Sequence, residues 1–152
     1  MTTPLNTIHD SMGSVPAARK LIYRLTDLGG RILLAALFLI FGIVKLGSYA
    51  AIVGYMSSAG VPAILLPFAI ALEVLSSLAV ILGWKTRVAA ALLAGFSLIT
   101  ALIFHNNFAD QTQLIMFFKN VSIAGGFLLL VTHGAGPLSL DYRFGQQPVR
   151  GV

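Results

Sequence analysis

A single carboxylate lies inside one of the most apolar stretches of the chain. Glu73 sits near the middle of AILLPFAIALEVLSSLAVILGW. An ionisable group at the depth of a bilayer core is costly unless it is paired, protonated or facing water. Glu73 therefore marks either a ligand or proton-exchange site, or an internal ion pair that fixes which helices meet.

The composition indicates a membrane protein. Hydrophobic residues make up 57% of the 152 residues and charged residues 10%, whereas about 25% charged residues is usual in soluble domains. The length suits one domain, without a separate soluble catalytic domain. The sequence has no cysteine, which excludes iron–sulfur clusters, thiol relays and disulfides. The net charge of +5 does not indicate nucleic acid binding, because the basic residues flank apolar segments.

Four apolar windows are long enough to cross a hydrocarbon core of about 30 Å. They cover residues 28–46, 63–82, 88–104 and 114–132. We expect an all-α, four-helix transmembrane bundle with antiparallel neighbours, formed by residues 28–134. No A-x-A cleavage site follows the first window, so we expect it to remain as a signal anchor.

The basic residues predict the orientation of this bundle. Most of them lie before or at the start of the first window, in the link between the second and third windows, or in the tail: Arg19, Lys20, Arg24, Arg31, Lys85, Arg87, Arg143 and Arg150. The other side of the membrane has only Lys45 and Lys119. The positive-inside rule then places both termini in the cytoplasm.

The segments between and around the spans complete the predicted architecture. Residues 1–27 form a cytoplasmic N-terminal segment with a short interfacial helix, whose apolar side includes Leu21, Ile22 and Leu25. Residues 135–152 form a cytoplasmic tail. The two links that face outside, beginning with GSYAAIVGYMSSAGVP, are expected to be loops.

Depth along each span groups several polar side chains in the outer half of the bundle. At about 1.5 Å per residue, Glu73 lies about ten residues below the outer end of its span, and Lys119 and Asn120 lie about six residues below theirs. Lys45 is near the end of the first span and His105 follows the third. Lys119 is the expected countercharge of Glu73, and such pairing decides whether a buried carboxylate is charged.

Two interpretations of this group stay open at this point. In one, Glu73 and Lys119 form a structural pair that holds the second and fourth spans together; in the other, the pair belongs to a ligand or proton site. Histidine exchanges protons near neutral pH, which suits His105 to an organic headgroup, although a lone interfacial histidine is more often a hydrogen-bonded cap. His105 and His133 lie on opposite sides of the membrane and cannot clamp one haem, and no transition-metal cluster is visible.

A second polar group is predicted on the cytoplasmic side. It consists of Arg31, Arg87 and Asp141, with the tail bringing Asp141 back against one of the arginines. Arg31 shares a heptad stripe with Phe38 and Lys45, so that face of the first span should look inward. We interpret this group as topology and anchoring rather than chemistry.

Helix packing is predicted to follow small residues. Ala91 with Gly95, and Ser122 with Gly126, have small-xxx-small spacing, which lets helix backbones approach closely. Apolar side chains gain little free energy by moving from lipid into a protein interface. Such small-residue pairs should therefore decide which helix faces meet. We expect both pairs to lie in interfaces.

Several strings are typical of one family. They are RILLAALFLIFGIVKL in the first span, YMSSAGVP in the first outer link, LGWKTR after the second span, FH at the end of the third, and FFKNVSIAGGFLLL followed by the GPLSLD tail. On these residues the chain resembles the DoxX family of bacterial inner-membrane proteins, most closely its YphA-type members, over residues 28–143. The string in the fourth span is the most specific of them.

The resemblance implies a multi-pass protein of the bacterial inner membrane. It also implies polar groups at Lys45, Glu73, Arg87, His105, Lys119 and Asn120. Some members of the family are subunits of quinone-linked oxidoreductases, such as thiosulfate:quinone oxidoreductase, and others are associated with oxidative-stress or detoxification systems. We therefore hypothesise an accessory subunit of such a system.

In this first hypothesis, the outer-half group accepts the headgroup of a quinone. The assigned residues are Glu73 and His105 for proton exchange, Lys45, Lys119 and Asn120 for binding, and Phe117 and Phe118 for lining the approach. The chain has no recognisable flavin or haem site, so it is at most a quinone-interacting subunit that needs a redox partner protein.

The second hypothesis is a non-catalytic scaffold or assembly protein in the lipid bilayer. Its Glu73–Lys119 pair is structural, and its surface recruits partners or forms a homo-oligomer. A transporter ranks lower, because four spans in one protomer leave little room for alternating access.

Overall fold

The computed structural model describes residues 16–145, which are helical and contain no strand. The elements are α1 Ala17–Gly47, α2 Tyr49–Ser58, a 3₁₀ turn Ala63–Leu65, α3 Leu66–Leu82, α4 Thr86–Phe104, α5 Gln111–His133 and α6 Leu140–Arg143. Four helical segments, namely α1, Ala63–Leu82, α4 and α5, are long and apolar enough to cross a membrane. The all-α, four-span prediction is confirmed, whereas the cytoplasmic location of the termini stays a prediction.

The spanning helices pack in chain order around a core of small side chains. α1 packs mainly against α3, and α4 packs against both α3 and α5. α1 and α5 meet where the rings of Phe38 and Phe127 lie edge to face, with centroids 5.5 Å apart. Around these rings lie the buried alanines of the core, which are Ala35, Ala89, Ala90, Ala94 and Ala124. Small side chains let the backbones approach closely.

The interface predicted for Ala91 and Gly95 on the third span is displaced by one residue position. Ala91 is exposed, and a Cβ on Gly95 would meet nothing within 4 Å, whereas Ala90 and Ala94 are buried. One residue along a helix is a rotation of about 100°, so the neighbouring alanines face the core instead. On the fourth span, Gly126 does contact α1, where its Cβ position lies 3.0 Å from the side chain of Leu34, but its predicted partner Ser122 is exposed.

The helix expected before the first span is continuous with that span, and its interfacial position stays a prediction. α1 runs without interruption from Ala17 to Gly47, through the expected boundary near Leu28. Leu21, Ile22 and Leu25 are 53 to 63% exposed and extend the outer surface of this long helix. A helix of 31 residues is longer than the about 20 residues needed to cross a hydrocarbon core, so its first turns extend beyond the core. The rest of the predicted segment, residues 1–15, lies outside the described residues.

The first link, expected to be a loop, forms the helix α2 instead. Met56 of α2 is buried against Leu66 and Ile70 of α3. This apolar contact stabilises a helix that its glycine and serine residues alone would not favour. α2 therefore covers the end of the bundle near Glu73.

The tail packs against the turn between α3 and α4. Gly83 ends α3 in a left-handed conformation, with φ 70°, and a Cβ at this position would collide with the Arg31 guanidinium and with Ser139. Gly83 O also accepts a hydrogen bond from Asp141 N, at 2.8 Å. A glycine is therefore needed here for conformation and for space.

Candidate functional site

Glu73 is paired with Lys45 on the neighbouring helix. Lys45 Nζ donates to both carboxylate oxygens, at 2.5 Å and 2.6 Å. Glu73 is buried, and the Lys45 side chain is 23% exposed. Gly42, one turn before Lys45, allows the close approach, because a Cβ there would lie 3.2 Å from Glu73 Cβ. The carboxylate is therefore held between α1 and α3.

The predicted Glu73–Lys119 pair is wrong. Lys119 Nζ contacts Met116 Sδ at 3.0 Å, and it has no carboxylate partner in residues 16–145. The predicted depth of Lys119 places it near Glu73, but α1 rather than α5 packs against the Glu73 face of α3. Lys45 is therefore the lysine that lies close enough to pair with the Glu73 carboxylate.

A cavity of about 580 Å³ adjoins this ion pair, and we call it the Glu73 cavity. Most of its lining is apolar and comes from all four spanning segments and α2. Its polar lining residues are Lys45, Glu73, Thr100, His105, Lys119 and Asn120. The five polar residues grouped from the sequence thus line one cavity, and Thr100 is an addition. The hydroxyl of Thr100 donates to Phe96 O within its own helix, at 2.8 Å.

Several of these polar groups keep hydrogen-bonding capacity. His105 Nδ1 is 2.8 Å from Gln113 Oε1, which leaves Nε2 available. Asn120 Nδ2 donates to Met116 O at 2.9 Å, which leaves its amide oxygen available. Lysine carries three N–H donors, and those of Lys119 contact only a sulfur among the described side chains. The cavity therefore offers both donors and an acceptor to a bound molecule.

The predicted aromatic lining is wrong in its positions. Phe117 packs edge to face on Phe108 and Phe118, with centroids 5.0 Å and 5.5 Å apart, and Phe118 is 58% exposed. Neither lines the cavity, because Lys119, Asn120 and Ile123 occupy the facing side of α5. Five other aromatic residues line it, which are Phe38, Phe41, Tyr55, Phe96 and Phe104.

Tyr55 is a lining residue that the sequence did not indicate. Its ring stacks on Phe104, with centroids 5.1 Å apart and an interplanar angle of 20°. The only available signal was its place in YMSSAGVP, which had been interpreted as a loop. Once that segment is helical, Ile52, Tyr55 and Met56 share one face of α2 and line the cavity together.

The residues of the second polar group bond to the backbone. Arg31 is fully buried and donates to Val80 O and Leu138 O. Arg87 Nη2 donates to Thr132 O at 3.1 Å. Asp141 accepts from the amides of Lys85 and Thr86, at 2.7 Å and 2.9 Å. The tail does bring Asp141 into the same cavity lining as Arg87, as expected, while the hydrogen bonds of Asp141 cap the start of α4.

Comparison with known proteins identifies the family of this chain. Residues 26–106 match the family model for DoxX. Inner membrane protein YqjF of Escherichia coli (strain K12) is 45% identical over 121 residues, which cover 78% of this chain and 93% of YqjF. Inner membrane protein YphA of the same organism is 40% identical over 121 residues, covering 74% of this chain and 86% of YphA. No solved structure gives a significant match. The chain belongs to the DoxX family and is a multi-pass protein of the inner membrane.

Proposed function

We propose that this protein is an accessory subunit of a quinone-linked redox or detoxification system, and that the Glu73 cavity binds the quinone headgroup. One observation carries the proposal. Lys45, Glu73, His105, Lys119 and Asn120, from three spanning segments and a span end, line the same largely apolar cavity. Apolar walls with a few convergent polar groups are the usual form of a site for a small organic molecule.

The cavity fits a quinone headgroup in size and chemistry. Its volume of about 580 Å³ lies within the range of about 300 to 1,000 Å³ for such sites. Quinone oxygens accept hydrogen bonds, and Lys119 Nζ is a donor whose described contact is a sulfur. Phe41 and Tyr55 line the cavity while 55% and 49% exposed, so the cavity opens towards the lipid-facing surface.

The polar residues then take different roles. Lys119 and Asn120 hydrogen-bond the headgroup, and His105 exchanges a proton through Nε2 while Gln113 orients the ring. Lys45 holds Glu73 at the wall, where the carboxylate is positioned to take up or release a proton. A bound quinone supplies the electron-carrying chemistry, and a partner protein supplies or removes the electrons.

The direct test is quinone binding by the purified protein. Protein extracted with native lipid should contain quinone, and a short-chain benzoquinone analogue should bind the delipidated protein. We expect Lys119→Met and His105→Gln to weaken binding about tenfold each, since each removes about one hydrogen bond to the ligand. Lys20→Met and His133→Gln are matched controls outside the cavity and should bind as the parent does. Equal binding by all four variants would contradict the proposal.

A matched aromatic pair tests the position of the site. Phe41 and Phe118 are similarly exposed, at 55% and 58%, but only Phe41 lines the cavity. Phe41→Ala should weaken binding of the analogue severalfold, whereas Phe118→Ala should leave it unchanged. If Phe118→Ala weakens binding and Phe41→Ala does not, the quinone site lies at the outer face of α5 and not in the Glu73 cavity.

The scaffold function is the second candidate, and the ion-pair geometry favours it. Lys45 bonds both oxygens of Glu73 and joins α1 to α3, as a structural pair would. Lys45→Met, Glu73→Gln and the double variant separate the two functions. Normal cellular function of the double variant after loss in both single variants indicates a structural pair. Loss in all three, with normal expression and folding, indicates chemistry at Glu73.

A further inference from the structure

A second cavity lies at the opposite end of the bundle, and we call it the Asp141 cavity. Its volume is about 500 Å³, and its lining comes from residues 85–88, residues 133–137, Ser139, Asp141 and Tyr142. It lies where α4 begins and α5 ends. Trp84 and Tyr142 are 54% and 55% exposed at this level, and such residues favour the headgroup layer of a membrane.

The charges around this cavity favour an anion. Lys85 and Arg87 both line it, together with His133. Within residues 16–145, neither basic residue has an ion-pair partner. Asp141 is the acidic lining residue, and both its oxygens accept backbone N–H bonds at the start of α4. Asp27 adds a second carboxylate beside the lining, since its Oδ2 lies 2.6 Å from the Cβ position of Gly136, and the buried Arg31 is close to both carboxylates. Three basic side chains therefore lie near two carboxylates, which leaves an excess of positive charge at this end.

The side chains at this cavity also retain donors. Arginine carries five N–H donors, and the structure engages Arg87 through one of its nitrogens, Nη2, with Thr132 O. A Cβ on Gly134 would be in ordinary van der Waals contact with Arg87 Nε, at 3.7 Å, so Gly134 lies beside this guanidinium. Thr86 also lines the cavity, and its buried hydroxyl has no partner in the described part of the chain.

We propose that the Asp141 cavity binds a phosphate group through Lys85 and Arg87. Guanidinium groups bind phosphate with paired N–H bonds, and lysine adds a second positive charge. The site does not rest on the proposed quinone function, since it lies at the other end of the bundle. Its ligand is the phosphate of an anionic lipid headgroup or free phosphate, and these two sources share the same recognition chemistry.

The test measures thermal unfolding of the purified full chain in a neutral detergent. Phosphatidylglycerol, phosphatidylcholine with the same acyl chains, and inorganic phosphate are added separately. We expect phosphatidylglycerol to raise the unfolding midpoint by several degrees with saturation, and phosphatidylcholine to have little effect. A saturating shift with inorganic phosphate alone would instead identify free phosphate as the source, provided that the double variant below loses it.

The variants decide whether the effect belongs to this cavity. Lys85→Asn with Arg87→Gln should lose most of the shift; asparagine is chosen because Lys85 has φ 46°, which asparagine tolerates. Lys20→Asn with Arg24→Gln removes the same charges from exposed positions on α1 and should keep the shift. Equal shifts in the two double variants, or a larger loss in the control, would overturn the proposal.

Two single variants test the same proposal if the double variant does not fold. Arg87→Lys preserves the charge but not the paired N–H bonds, and Lys85→Asn removes one charge. Each should raise the half-saturating concentration of phosphatidylglycerol, or of phosphate, severalfold. Parent-like half-saturation in both would overturn the proposal.

Discussion

Charged side chains have different bonding partners at the two ends of the bundle. Near α2, Glu73 is bonded to a lysine side chain, and other polar groups face a cavity with unused donors and acceptors. Near the tail, Arg31 and Asp141 bond to backbone atoms of other segments. Backbone partners fix the chain path, whereas side-chain groups with unused bonds remain available to a ligand. We therefore expect substitutions of Arg31 and Asp141, whose bonds go to the backbone, to affect mainly stability, and substitutions of the polar cavity residues near α2 to affect mainly binding.

The largest loss of stability is expected for Arg31→Met. The substitution leaves Val80 O and Leu138 O without their buried donor. Hydrogen bonds to charged groups contribute about 1.5 to 3 kcal/mol each, so losing two of them should lower the free energy of unfolding by about 3 to 6 kcal/mol. Unfolding by SDS in mixed micelles measures it, and limited proteolysis should show a loosened tail. A parent-like curve would contradict the role assigned to Arg31.

Asp141→Ala should have the next largest effect. It removes a cap from the start of α4, which costs about 0.5 to 2 kcal/mol. Asp110 caps α5 from the adjacent position, accepting from Thr112 N and Gln113 N, so Asp110→Ala is the matched control. Asp141→Ala should be at least as destabilising, because Asp141 also attaches the tail. If only Asp110→Ala lowers the unfolding midpoint, the tail does not pack as described.

Gly42→Ala should cost about 1 kcal/mol, because overpacking costs about 1 to 3 kcal/mol and the better helix propensity of alanine offsets part of it. The new methyl would lie 2.9 Å from Val74 Cγ2 and 3.2 Å from Glu73 Cβ. Gly95→Ala meets nothing within 4 Å and should be neutral or stabilising. Thermal unfolding of both variants measures the difference. Equal midpoints would show that α1 and α3 are farther apart.

Lys119→Met should have the smallest effect on stability, below about 0.5 kcal/mol, as is usual for surface substitutions. Lys119 is exposed and is not part of the ion pair. The same substitution is expected to weaken binding of the quinone analogue. A large loss of stability would show that Lys119 stabilises the fold. The polar residues near α2 would then not differ from Arg31 and Asp141 in this respect.

The sequence predicted the spans and five polar residues of the Glu73 cavity because both depend on depth. An apolar run of sufficient length identifies a span, and counting residues from its end gives the level of Glu73, Lys119 and Asn120. Depth does not say which helices are neighbours. Counting residues placed Lys119 closer than Lys45 to the depth of Glu73, and only the packing of α1 on α3 shows that Lys45 is the partner.

The sequence also did not indicate which face of each helix is buried. Ala91 and Phe118 were assigned inward positions, yet both are exposed. A span that is apolar all round carries little periodic signal, so its buried face is set by its neighbours. α2 was missed for a related reason, since its helix depends on burying Met56 against α3.

Photoaffinity labelling with a short-chain azidoquinone shows directly whether a quinone occupies the Glu73 cavity. The purified protein is labelled with and without excess unlabelled quinone, and the modified residues are located by mass spectrometry. We expect labelling of cavity residues such as Phe41, Tyr55 and Ile99, with loss of the label on competition. Labelling that resists competition and lies on outward residues such as Phe118 and Leu129 would contradict this expectation.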